Sequence, residues 1–286
     1  MCDDDIHVGL IHDPSVSRRT FGLMSVAAAG KATSARADMA VVETDVEVKT
    51  ADGSADAVLF HPAAKGKYPG VLIWTDIAGL RPAFRDMGRR LAAQGYTVLA
   101  PNPFYRSARG QVAGEGFNFA NPTDRARVMG YRGAMSNAGI DSDAKAYLAF
   151  LDAQPQTNKR KKVGVQGYCM GGPLSFRTAA AVPDRIGAVG SFHGGGLTTK
   201  NPDSPHLLIP TSKASYLVAV AQNDDKQQPE SKDILKAAFA DARRPATVEV
   251  YPANHGWCVK GSAVYDEAAA EKAWAELTKL YKANLA

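Results

Sequence analysis

The segment Gly167-Tyr168-Cys169-Met170-Gly171-Gly172 constrains this chain more than any other. An apolar, β-like run, Lys162-Val163-Gly164-Val165-Gln166, leads into it, and a helical pattern from Pro173 to Ala181 follows. The form is G-x-C-x-G between a strand and a helix, the spacing of a nucleophile elbow with cysteine as nucleophile. A sharp strand-to-helix turn holds such a side chain on strained backbone. Flanking glycines let the turn close without Cβ clashes. The N–H of the next residue, Met170, then joins the helix N-terminus in facing a developing oxyanion. The bland alternative is a glycine-flanked core cysteine, and two signals further along the chain argue against it.

Tyr216-Leu217-Val218-Ala219-Val220-Ala221 reads as a strand that runs out into Gln222-Asn223-Asp224-Asp225. An acid there can reach over the sheet and orient an imidazole. Asp224 fits the spacing G-x-x-D, with Ala221 in the glycine's place, and Asp225 is the alternative. Val250-Tyr251-Pro252-Ala253-Asn254-His255-Gly256-Trp257 then puts His255 in a loop between a strand and the last helix. Nucleophile, acid, histidine is the chain order of α/β-hydrolases. The chemistry needs each part. A free cysteine is mostly thiol at neutral pH and needs a base. His255 takes the proton and returns it to the leaving group, while Asp224 fixes the imidazole's tautomer. His193-Gly194-Gly195-Gly196 follows the nucleophile, whereas the HGGG oxyanion motif precedes it, so it reads as a turn whose histidine lines the pocket.

The surrounding pattern alternates strand and helix. Val41–Val48 and Ala57–His61 form a hairpin around Asp52-Gly53. Gly70–Trp74 is continuously apolar, as a buried parallel strand is. Pro82–Gln94, Ile140–Leu151, Lys232–Ala240 and Ala263–Tyr281 are helical; Tyr96–Ala100, Ile186–Phe192 and Thr247–Tyr251 are strands. The expected class is α/β: an α/β-hydrolase fold, its mostly parallel sheet flanked by helices, with an N-terminal hairpin. Residues 102–139 are rich in Gly, Pro, Asn and Arg and read as an irregular wall or lid.

The 286 residues suit one large domain over 39–286, and 45% apolar content permits a sizeable core. The net charge of +5 is dispersed, and its densest run, Lys159-Arg160-Lys161-Lys162, is the solvated start of a strand rather than a nucleic-acid site. Three cysteines, Cys2, Cys169 and Cys258, make no disulfide framework, and no His/Cys spacing suits a metal, so no cofactor is expected. Cys258 reads as a small buried hydrophobe, with pocket lining the alternative. Residues 1–38 are set apart. Ser17-Arg18-Arg19-Thr20-Phe21-Gly22-Leu23-Met24 fits the twin-arginine export pattern, followed by an apolar stretch to Gly30 and an A-x-A site at Ala35-Arg36-Ala37. The acidic leader Asp3-Asp4-Asp5 is atypical for a signal, and a cytoplasmic tail is the alternative to a periplasmic, exported enzyme. The stretch is too short to span a membrane.

These residues together resemble the dienelactone hydrolase family from about residue 45 to 282. The resemblance rests on Gly167–Gly172, on Thr75-Asp76-Ile77-Ala78-Gly79-Leu80, on Leu91-Ala92-Ala93-Gln94-Gly95-Tyr96-Thr97-Val98-Leu99-Ala100-Pro101 and on Asn254-His255-Gly256-Trp257. It implies a cofactor-free Cys-His-Asp hydrolase of an enol-lactone or ester, acting through an acyl-enzyme. It also implies an oxyanion hole from the N–H groups of Ile77 and Met170. The family has Glu where this chain has Asp76, one methylene shorter, and that Glu takes part in thiol activation. Arg106, in Pro103-Phe104-Tyr105-Arg106, matches a family arginine that binds the substrate carboxylate. A second such arginine is unmatched; Val259 and Lys260 stand there, and Lys260 is the substitute. The expected partner is a small-molecule ester or lactone, with no nucleic acid and no membrane insertion, for a monomer or small homo-oligomer. Competing readings are a hydrolase of another activated acyl bond, such as an aryl ester or thioester, and a non-catalytic binding protein on the same fold.

Overall fold

The structure, a computed structural model, describes residues 39–114 and 116–285. The twin-arginine motif and the Ala35-Arg36-Ala37 site lie outside the described residues. The hairpin comes first: β1 (Val41–Thr50) and β2 (Gly53–Pro62) pair antiparallel from Thr50 opposite Gly53. There follow β3 (Gly70–Trp74), α1 (Pro82–Ala93), β4 (Thr97–Pro101), α2 (Pro122–Gly133), α3 (Asn137–Ala153), β5 (Val163–Tyr168) and α4 (Gly171–Ala181). The rest is β6 (Ile186–Phe192), a 3₁₀ segment at Pro205–Thr211, β7 (Ser215–Ala221), α5 (Gln222–Gln227), α6 (Ser231–Asp241), β8 (Ala246–Tyr251) and α7 (Glu267–Asn284). The strands form one eight-stranded sheet in the order β1-β2-β4-β3-β5-β6-β7-β8. Strands β3 to β8 run parallel, and β2 meets β4 antiparallel. This is the α/β-hydrolase architecture expected from the sequence.

Both faces of the sheet are covered, which explains the unbroken apolar strands. Side chains alternate across a strand, so β3 feeds two cores. Leu72 and Trp74 point into one, with Tyr147 and Leu151 of α3, Phe176 of α4 and Phe239 of α6. Val71 and Ile73 point into the other, with Phe84 and Leu91 of α1 and Trp274, Leu277 and Tyr281 of α7. The chain order reverses at β3, which has β4 on one side and β5 on the other. Such a reversal opens a crevice at the carboxyl ends of the strands. The loops after β3, β5, β7 and β8 meet there.

Two elements differ from the sequence expectation. The stretch 102–139 is not wholly irregular: α2 lies within it, with Pro122 in its first turn and the Asn121 side chain accepting from the N–H groups of Thr123 and Asp124. And β7 does not run out extended into the acid; the chain coils at once into α5. Among the described residues no helix is long and apolar enough to cross a membrane.

The elbow strand is held from beneath by α7. Tyr281 donates its hydroxyl to Gln166 Oε1 at 3.0 Å, and Gln166 Nε2 donates to the Tyr168 hydroxyl at 2.7 Å. All three are buried. Tyr281→Ala therefore creates a cavity and orphans a buried amide oxygen. It is expected to cost about 3–5 kcal/mol in urea denaturation, whereas Tyr281→Phe, which keeps the ring, costs about 1–3 kcal/mol.

Candidate active site

Cys169 sits between the end of β5 and the start of α4 with φ +51°, left-handed backbone that a non-glycine residue rarely adopts. The turn is so tight that its glycines are obligatory. A Cβ on Gly167 would lie 1.9 Å from the Gly171 carbonyl oxygen, and one on Gly171 would lie 2.5 Å from the Trp74 carbonyl oxygen. The Cys169 N–H is tied to Phe192 O at 3.0 Å, and the Cys169 carbonyl accepts from the Gly172 N–H at 3.1 Å.

His255 follows β8, an edge strand of the sheet. Its Nδ1 shares a hydrogen bond with Asp224 Oδ2 at 2.7 Å, which leaves Nε2 for the thiol. Its backbone N–H donates to Asn223 Oδ1 at 2.7 Å, so α5 holds both the ring and the main chain of the histidine loop. Asp225 turns instead to Lys232 Nζ at 2.7 Å. Burial pushes the His255 pKa down, but the Asp224 bond and the nearby Cys169 sulfur outweigh it and raise the pKa to about 10. His193 packs edge-on against His255, with ring centroids 4.7 Å apart, and against Trp257 at 5.1 Å. It is buried at φ +40°, and among the described residues neither ring nitrogen has a hydrogen-bond partner. Burial, and then the charge on His255, push its pKa well below the usual histidine value. It stands as an uncharged ring against the His255 imidazole.

Cys169, Met170, His193 and His255 line one cavity of about 390 Å³ together with Asp76, Ile77, Phe119, Met129 and Arg132. The N–H groups of Ile77 and Met170 meet no backbone acceptor among the described residues. Asp76 does not turn to the thiol. Both its oxygens engage Arg81, at 2.5 and 2.7 Å, and Oδ1 also accepts the Ala78 N–H at 3.0 Å. The shorter acid thus staples the loop that carries Ile77.

The two cations predicted from the sequence to hold substrate are not in this cavity. Arg106 spends its guanidinium on Asp143, at 2.7 and 2.9 Å, and on Asp52, at 2.6 and 2.9 Å, and stacks on Tyr105. Lys260 is exposed and lines a neighbouring cleft of about 660 Å³, which shares Asp76, Ile77, Phe119 and Gly256 with the cavity. Cys258 is buried in a separate hollow, and burial pushes its thiol pKa well up. Three residues escaped the sequence reading. Asn223 gave no signal beside two acids. Arg132 and Met129 lie on α2, whose start was legible as Asn121-Pro122.

A cysteine on a nucleophile elbow, beside a histidine held by an aspartate, on an eight-stranded mostly parallel sheet, defines an α/β-hydrolase. More narrowly, a profile of the dienelactone hydrolase family matches residues 55–285, and the chain belongs to that family. A Synechocystis protein provisionally named carboxymethylenebutenolidase is 28% identical over 231 residues, covering 79% of this chain and 91% of its own. The Pseudomonas putida carboxymethylenebutenolidase is 31% identical over 170 residues, 58% of this chain and 66% of its own. The fold matches that of a Klebsiella pneumoniae protein provisionally called a dienelactone hydrolase. Their TM-score is 0.72 at 21% identity, over 85% of this chain and 99% of that one. The protein is a hydrolase of the ester and lactone type.

Asp224→Asn is expected to lower kcat about a thousandfold or more by losing the tautomer control. Asp225→Asn only breaks an ion pair and stays within about threefold. The opposite ranking moves the acid to Asp225. The raised pKa also sets a pH signature. Folding favours the protonated imidazole, so its stabilisation is present in full below about pH 6.5 and lost as pH rises through about 10. In Asp224→Asn that alkaline loss should shrink in denaturation curves taken across this window.

Proposed function

We propose that the chain cleaves small esters or lactones through a thioester on Cys169, with His255 carrying the proton and Asp224 orienting it. One observation carries the reading: Cys169 and His255 line one cavity, and Asp224 holds the histidine's other nitrogen. The Cys169 proton passes to His255, and the sulfur attacks the acyl carbon. The carbonyl π electrons move onto oxygen, within reach of the Ile77 and Met170 N–H groups. Collapse breaks the C–O bond, and His255 protonates the departing oxygen, which in a lactone stays tethered as the ring opens. Water then gives a proton to His255 and its oxygen to the thioester carbon. Cys169 leaves as thiolate and regains its proton. Every group used comes from one chain, so a monomer suffices and a small homo-oligomer is compatible.

For the substrate, the relatives' name supports an enol-lactone of the carboxymethylenebutenolide kind. The second reading, another activated acyl bond such as an aryl ester, is favoured by Phe119 and Met129, which stand 44% and 50% exposed at the cavity. A panel of dienelactones, simple lactones and 4-nitrophenyl esters separates the two. On the best substrate, Cys169→Ala is expected to lower kcat/KM at least about a thousandfold with the fold intact, and iodoacetamide should alkylate Cys169 and stop turnover. Near-normal turnover in Cys169→Ala rules out the thioester route.

We also propose that residues 1–37 are a twin-arginine signal, on the strength of Arg18-Arg19, Phe21 and Ala35-Arg36-Ala37. Replacing Arg18 and Arg19 by Lys should leave the full-length chain in the cytoplasm, while the native chain is recovered outside it, beginning near Asp38. Recovery of the native chain from the cytosol with Met1 or Cys2 at its N-terminus overturns export.

A further inference from the structure

The cavity around Cys169 is lined by a cation that no carboxylate pairs with among the described residues. Arg132, in the last turn of α2, lines the cavity with the nucleophile. One of its nitrogens, Nη1, donates to the Met135 carbonyl at 3.2 Å. Among the described residues no carboxylate pairs with it. The other arginines nearby are committed: Arg81 to Asp76, Arg106 to Asp52 and Asp143, Arg177 to Asp141. Burial first, and then the like charge of Arg177, lower the Arg132 pKa from the usual arginine value. A partly desolvated guanidinium beside a like charge is costly unless an anion offsets it. The cavity is also lined by Phe119, Met129 and Pro173, which carry no charge, and by Asp76, whose carboxylate is engaged by Arg81.

We infer that Arg132 is the specificity-determining contact of the site: it binds a carboxylate on the substrate, joined to the reacting carbonyl through an apolar body. The inference rests on the hydrolase reading above and narrows it to acidic esters or lactones. It also moves the anion anchor from the loop after β4 to α2. Arg106 cannot serve without breaking two ion pairs, one of them to the buried Asp143. A guanidinium fork suits a carboxylate, since two parallel N–H donors meet its two oxygens. The nitrogens of Arg132 not bonded to Met135 are left for that purpose. The competing account gives Arg132 only the task of closing the C-terminus of α2 through that same carbonyl.

Two esters of matched length decide between them: the 4-nitrophenyl monoester of glutarate, which carries a carboxylate, and 4-nitrophenyl pentanoate, which does not. In Arg132→Gln the ratio of kcat/KM, acidic over neutral, should fall about tenfold to a hundredfold, chiefly through KM. Arg132→Lys should recover part of it, because the charge survives without the fork. A ratio that moves by less than about threefold in Arg132→Gln, with both esters affected alike, overturns the inference and leaves the helix-closing role. A readout without turnover guards against a variant that does not fold. In the native protein, glutarate should slow alkylation of Cys169 by iodoacetamide at least about tenfold more effectively than glutaramide. Equal protection by the two also overturns the inference. Failure of the hydrolase reading looks different: neither ester is turned over, while protection still reports on the contact.

Discussion

The site depends on how closely two stretches of main chain approach each other at the elbow. Gly167 and Gly171 bring the end of β5, the start of α4 and the end of β3 within distances that no side chain could share. That approach forces Cys169 into left-handed backbone and sets Met170 N–H beside the loop carrying Ile77. The strain, of order 1–3 kcal/mol, persists only because its surroundings over-determine it. Here they are the sheet ladder, the Cys169–Phe192 bond and the buried Gln166–Tyr168–Tyr281 chain beneath.

Charge around the cavity leaves one aspartate-bound imidazole lining it with the cysteine. Asp76 is neutralised by Arg81 and fixes a loop. His193 is kept neutral by burial and by its neighbour. What remains beside the sulfur is His255, with a carboxylate behind it. Burial alone would weaken this base, and the Asp224 hydrogen bond reverses that. The other carboxylate lining the cavity, Asp76, has both its oxygens on Arg81. Substituting Asp for the longer acid that the resemblance implied thus changes more than reach. Here the acid is paired with Arg81 and tied to the Ala78 N–H.

Much of this was legible in the sequence because the relevant signals are local. An elbow is six consecutive residues, and its glycines leave a spacing; buried parallel strands read as unbroken apolar runs at Gly70–Trp74 and Ile186–Phe192. The positions of Asp224 and His255 follow from strand ends. What the sequence could not reveal was non-local. Arg106 reads as an anion anchor until the fold brings Asp143, 37 residues on, and Asp52, 54 residues back, against its guanidinium. The helix α2 was hidden for another reason. It buries only Val128, so its polar sequence carries almost no apolar period, and only the cap at Asn121-Pro122 marks its start.

That thin attachment has a consequence for how such an enzyme changes. The last helix, α7, buries Ala269, Ala270, Ala273, Trp274, Leu277 and Tyr281, and few of its residues can vary without cost to the core. By contrast α2 contributes one buried side chain while presenting Met129 and Arg132 to the reacting centre. Elements with little buried apolar surface open at lower free energy and tolerate replacement. The cavity thus has one wall, α2, attached through far less buried apolar surface than the helix that supports the elbow strand. Substitutions on that wall should therefore change which compounds fit the cavity at little cost to the core that holds the elbow.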